Sequence, residues 1–171
     1  MTARSTVEEL VVEVADDRTV AARVHGAGRP VLFLHGTPGS RVLAPHDHTV
    51  LAATGVQLVT LDRPGYGRST PRPGRSVLQC ADDVVAVANA VGAQHFGLAA
   101  HSGGAQYALA VAARHADRVT SVALVSPLGP LDTSGDERAL PEARALQVRF
   151  LRAVPATTRV RTTVADRKSV V

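Results

Sequence analysis

The chain contains no tryptophan and no isoleucine, and only one cysteine, one methionine and one lysine. Aromatic residues make up 3% of its 171 positions, so valine, leucine and alanine must supply the core. A single cysteine, Cys80, excludes an internal disulfide and fits a reducing compartment. No apolar run approaches the ~20 residues of a membrane-spanning helix. The opening Met1-Thr2-Ala3-Arg4-Ser5, running into Glu8 and Glu9, lacks the apolar stretch of a signal peptide. Cytoplasm is therefore the expected location, with no membrane partner. No cluster of His, Cys and Asp has metal-ligand spacing. Histidine is absent after His115.

What remains is a globular composition. Hydrophobic residues are 45% and charged residues 20%, and 171 residues suffice for one domain with a real core. Of 19 basic residues all but Lys168 are arginine, and the net charge is +4 with a pI near 10.2. Such basicity can mark nucleic-acid binding. Here the arginines are scattered, with no aromatic platform among them for stacking bases, so no nucleic-acid partner is expected. Abundant Arg, Ala, Gly and Val beside absent Ile point instead to a GC-rich coding bias.

The order of elements follows from hydrophobic patterning. Leu10–Val14 and Thr19–Val24, joined by Asp16-Asp17-Arg18, predict an opening β-hairpin. Val31–Leu34, Val56–Leu61, Phe96–Ala100 and Val119–Val125 are short apolar runs, as buried parallel strands require. Between them, helical character is moderate over Arg41–Ala53 and clear over Gly104–His115. Over Ser76–Val91, Val77, Cys80, Val84, Val87 and Val91 share one helical face, which places Cys80 in the core. Alternating strand and helix predicts an α/β fold, a mostly parallel sheet with flanking helices. Beyond Ser126 the pattern breaks at Pro127, Gly129, Pro130 and Gly135, and an amphipathic helical stretch follows over Glu137–Val154.

Three motifs carry chemistry. Ala99-Ala100-His101-Ser102-Gly103-Gly104 joins a strand to a helix, the setting of a nucleophile elbow. The small Ala100 and Gly104 permit the sharp turn, and the Gly103 N–H lies where a helix start favours negative charge. As a bare pattern, Ser-Gly-Gly serves equally as a helix cap. His35-Gly36-Thr37-Pro38-Gly39-Ser40 follows an adjacent strand and can lie beside the elbow, with the Thr37 N–H as a second donor. An ordinary Gly/Pro turn is the plainer alternative. Asp62-Arg63-Pro64-Gly65-Tyr66-Gly67-Arg68-Ser69 looks like a shaped loop at the same edge and is assigned no catalytic atom.

Together, and in this order, the motifs over roughly residues 8–130 resemble those of the α/β-hydrolase fold family. The resemblance implies Ser102 as nucleophile and Thr37 and Gly103 as backbone oxyanion donors. It implies no cofactor and a small-molecule substrate, with a carboxylic ester ahead of amides, thioesters and carbon–carbon cleavage. A cofactor-free haloperoxidase activity and a catalytically inactive, binding-only member are the rivals. Serine at the tip argues against haloalkane dehalogenases and epoxide hydrolases, which use aspartate there. Alanine at position 100 replaces the usual glycine, and its small size should preserve the turn.

Such a hydrolase also needs an acid and, later in the chain, a histidine. None of the seven histidines is placed for the task. His115 lies about 20 Å along the helix from Ser102. His101 leaves the turn in another direction and is expected to be packed. His35 is expected to stabilise its own loop, and His46, His48 and His95 have no supporting pattern. Asp132 is the one candidate acid. The expected organisation is a core over residues 1–126, the start of a helical cap over 127–165, and a non-native tail over 166–171. That tail, Asp166-Arg167-Lys168-Ser169-Val170-Val171, is what a common sequencing adapter encodes in one frame, and it holds the only lysine. The chain is thus expected to be an N-terminal fragment, inactive as written. With Val119–Val125 left as an open edge strand, poor solubility is expected as well.

Overall fold

The structure, a computed structural model, describes residues 7–44 and 47–127. These belong to one unit, Met1–Pro127. The expected cap and tail, including Asp132, lie outside the described residues, as does His46.

Six strands form one sheet: β1 (Glu8–Val14), β2 (Arg18–His25), β3 (Arg29–Leu34), β4 (Val56–Leu61), β5 (Phe96–His101) and β6 (Val119–Val125). Their order is β1-β2-β4-β3-β5-β6. The first two pairings are antiparallel and the other three parallel. Three α-helices make the crossovers: α1 (His48–Thr54), α2 (Ala81–Ala90) and α3 (Ala105–Arg114). The hairpin turn between β1 and β2 places Asp16 and Asp17 at φ of 64° and 51°, a region aspartate tolerates better than most residues.

Helix starts differ from the apolar pattern for local reasons. The stretch from Arg41 is a 3₁₀ turn, Arg41–Leu43, and α1 begins only at His48. There Asp47 caps the helix by accepting from the Thr49 N–H at 2.8 Å. Ahead of α2, Ser76 and Gln79 cap one another. The Ser76 N–H donates to Gln79 Oε1 at 2.8 Å, and the Gln79 N–H donates to Ser76 Oγ at 3.2 Å. A 3₁₀ turn, Leu78–Cys80, then leads into α2 with Cys80, Val84 and Val87 buried.

Strand alternation divides the core between the two sheet faces. Leu32, Leu34, Val59, Leu61, Leu98 and Ala100 meet residues of α2 and α3. Phe33 and Leu58 meet Leu51 of α1 on the opposite face. The chain steps from β3 to β4 on one side and then crosses to β5 on the other. That reversal opens a crevice at the carboxyl ends of these strands, where α/β sheets bind ligands.

Among the described residues β6 pairs only with β5, and its Val122 and Val125 are 38% and 56% exposed. An uncharged edge strand invites pairing between molecules. Val125→Lys is expected to shift the protein toward monodisperse particles in light scattering at equal concentration. Unchanged association would count against edge pairing.

Candidate active site

Three loops converge at the crevice. β5 ends at His101, and the chain turns through a 3₁₀ turn, Ser102–Gly104, directly into α3. Ser102 sits at the tip with φ of 50°, in the left-handed region. Non-glycine residues rarely adopt that conformation, and in folded proteins such strain clusters at functional sites. Gly104 is what lets the turn seat. An added Cβ there would stand 2.2 Å from the Leu34 carbonyl oxygen. The elbow therefore lies directly against the end of β3.

The loop after β3 lies alongside. A Cβ on Gly103 would be 3.1 Å from Thr37 Oγ1 and 3.6 Å from the Thr37 nitrogen. One on Gly36 would be 3.2 Å from Ser102 Cβ. Thr37, Ser102 and Gly103, separated by more than sixty residues in sequence, are thus neighbours. The Thr37–Pro38 peptide is cis. A hollow of about 310 Å³ opens beside them, lined by residues that include Phe33, Gly36, Leu43 and His101. His101 is exposed there, a correction to the packed histidine expected from sequence. Its ring stands at the rim of the hollow beside Gly36, where an added Cβ would be 3.0 Å from His101 Nδ1.

The loop after β4 underlies both others. Asp62, fully buried, accepts from the Arg41 N–H and from Arg41 Nη1, each at 2.6 Å, and from the Arg68 N–H at 2.9 Å. Gly67 passes so close to this carboxylate, at φ of 51°, that an added Cβ would lie 2.0 Å from Oδ2. Arg63 Nη2 donates to the Gly36 carbonyl at 3.0 Å and to Thr37 Oγ1 at 2.8 Å. Its guanidinium lies 4.5 Å from the ring centres of both Tyr66 and Tyr107. As contiguous sequence this motif reads only as a shaped loop. Its hold on Thr37 was hidden because Tyr107, one of the rings stacked on Arg63, comes from α3.

His35 joins the two loops. Its Nδ1 lies 2.8 Å from the Gly36 carbonyl, and its Nε2 lies 3.3 Å from the Arg63 backbone nitrogen, which donates to it. A neutral ring protonated on Nδ1 satisfies both contacts. Burial, and then the Arg63 charge, push its pKa down to about 4, against the pull of the Gly36 carbonyl and Asp62. The unfolded chain takes up this proton near pH 6.5. Between those values the unfolded state binds more protons, so stability falls as pH is lowered from 6.5 to 4. The loss should reach about 3 kcal/mol from this group. Urea midpoints at pH 7 and pH 4.5 should therefore converge in His35→Asn relative to wild type. An unaltered pH dependence would contradict the assignment.

Among the described residues no histidine hydrogen-bonds Ser102. His115 Nε2 instead lies 3.0 Å from Asp82, across α2 and α3. No helix among the described residues is long and apolar enough to cross a membrane.

Residues 29–163 match the family model described as the alpha/beta hydrolase fold. The chain belongs to the α/β-hydrolase fold family. Among similar hydrolase-family proteins is a non-heme haloperoxidase of Rhodococcus erythropolis, 31% identical over 134 residues, which cover 76% of this chain and 49% of that protein. Another is epoxide hydrolase B of Mycobacterium tuberculosis, 33% identical over 102 residues, covering 58% of this chain and 29% of that one. Among solved structures, a thermophilic esterase from Thermogutta terrifontis superposes with a TM-score of 0.66 at 23% identity, covering 87% of this chain and 55% of that one. That last is a likeness of fold. This hydrolase-family chain spans half or less of the length of the curated relatives it matches, from 29% to 49%.

Proposed function

We propose that this is the nucleophile-bearing part of a serine-dependent hydrolase acting on a carboxylic ester through an acyl-enzyme. The observation that carries the reading is Ser102, held at φ of 50° on the strand-to-helix turn with Gly103 and Thr37 side by side beneath it. Ser102 Oγ attacks the ester carbonyl, and the electron pair moves onto the carbonyl oxygen. The Gly103 and Thr37 N–H groups hold that oxygen. The alcohol leaves with a proton, and water releases the acid. In the whole protein the serine proton passes to a histidine further along the chain. Hydroxyl rather than carboxylate at the tip favours acyl transfer over the alkyl transfer that an aspartate would perform. The haloperoxidase relative favours a second reading, a cofactor-free haloperoxidase-type activity at the same serine.

The test uses the 171-residue chain and p-nitrophenyl acetate, with intact-mass and peptide analysis. An oxyanion site without its full triad still accelerates reaction about 10³–10⁴-fold over water. Slow acetylation of Ser102 is expected, and none at that peptide in Ser102→Ala. Equal labelling of both proteins would refute the nucleophile and favour a binding-only role.

A further inference from the structure

We propose that the Thr37 hydroxyl is a third donor to the anion held at this elbow, with Arg63 as the positioning residue that aims it. The inference rests on the reading of Thr37 and Gly103 as backbone donors and adds a side-chain group to them.

The argument starts from hydrogen-bond capacity. A threonine hydroxyl has one proton and two lone pairs, whereas a guanidinium only donates. Arg63 Nη2 donates to Thr37 Oγ1 at 2.8 Å, which engages a lone pair. The hydroxyl proton must then point away from Arg63. The same oxygen lies 3.1 Å from where a Cβ on Gly103 would stand, so the elbow is within reach of that proton. The Thr37 and Gly103 backbones meet in that same space. The hydroxyl keeps its proton throughout. It donates a hydrogen bond to the substrate oxygen as that atom gains charge.

Arg63 is suited to strengthen that bond. It is 3% exposed, and among the described residues no carboxylate forms an ion pair with it. Its Nε has no hydrogen-bond partner. A buried cation with no carboxylate paired to it among the described residues favours negative charge nearby, the two tyrosine faces offsetting part of its charge. A hydroxyl that accepts from such a cation is a stronger donor. The second bond of Arg63, to the Gly36 carbonyl, fixes the peptide that carries the Thr37 N–H.

The probe is acetate, titrated into the ¹⁵N-labelled 171-residue chain while the Thr37 and Gly103 amide resonances are followed. Acetate should move both in the wild type. Thr37→Val, which keeps the N–H and loses the hydroxyl, should bind acetate about tenfold more weakly, and Thr37→Ser should stay within about twofold of wild type. Arg63→Met should weaken acetate binding more in the wild-type background than in Thr37→Val, where only its charge and its bond to the Gly36 carbonyl are lost. Thr37→Ala gives the same comparison if the valine variant does not fold. Equal affinity in the valine and wild-type proteins overturns the inference, and so does an absence of any acetate response. Acetylation of Ser102 reports separately on the nucleophile. An inert Ser102 with hydroxyl-dependent acetate binding would sink only that reading.

Discussion

Asp83→Ala is expected to lower the unfolding free energy by about 3–5 kcal/mol. Arg18 at the start of β2 and Asp83 on α2 form a two-pronged pair, with Nη1 donating to Oδ2 at 2.9 Å and Nη2 to Oδ1 at 2.8 Å. Their side chains are 5% and 4% exposed. Removing the carboxylate leaves a guanidinium that cannot shed its charge, shut away from water. A domain of this size holds about 5–15 kcal/mol in total, so the variant loses a large fraction of its stability. The size of the effect reflects a buried charge left with only the exposed Asp16 carboxylate, 3.9 Å from Arg18 Nε, rather than the net worth of the pair. Replacing both partners separates these quantities. Arg18→Met with Asp83→Leu should regain most of the loss, since apolar substitutes of similar volume are often neutral or stabilising. Urea denaturation of the three proteins decides the matter. A single variant within about 1 kcal/mol of wild type would mean that water reaches the guanidinium.

That pair illustrates which features sequence conceals. Strands such as Val56–Leu61 and Val119–Val125 are legible to the residue, because their short apolar runs stop at Asp62 and Ser126. The elbow is legible because Ser102 and its small neighbours are contiguous. Arg18 and Asp83 carry no such pattern. They lie 65 residues apart, and each alone looks like a solvated charge. Arg41 with Asp62, and Arg63 with Thr37 and Tyr107, are hidden in the same way, although they shape the site. The start of α1 departs from the apolar pattern because that spacing continues through Arg41–Leu43, while the capping carboxylate of Asp47 sets the first helical turn. Period marks elements, and single polar contacts decide where they begin and how loops meet.

Gly104→Ala tests the most consequential of those meetings, and two effects oppose one another there. Gly104 has φ of −74° and ψ of −23°, a helical conformation that alanine adopts easily. Helix propensity would favour alanine by at most about 1 kcal/mol, the helix-interior value, because Gly104 is the N-cap of α3. Sterics point the other way. The new methyl would lie 2.2 Å from the Leu34 carbonyl oxygen, 2.7 Å from that of His35 and 2.8 Å from the Leu34 carbonyl carbon. These are backbone atoms at the end of a central strand and cannot rotate aside, so the elbow must lift away from β3. Crowding of this kind costs about 1–3 kcal/mol, or more where backbone must shift, which outweighs the propensity gain. The chemical loss should exceed the loss of stability. Lifting the elbow carries Ser102 and Gly103 away from Thr37, and a misplacement of about 1 Å can cost about 10²-fold in rate. Acetylation of Ser102 is therefore expected to fall at least about tenfold even where circular dichroism shows the protein still folded. A variant with wild-type melting and wild-type acetylation would show that elbow and strand do not touch as described. Loss of acetylation at full stability would tie reactivity to the spacing between elbow and oxyanion loop alone.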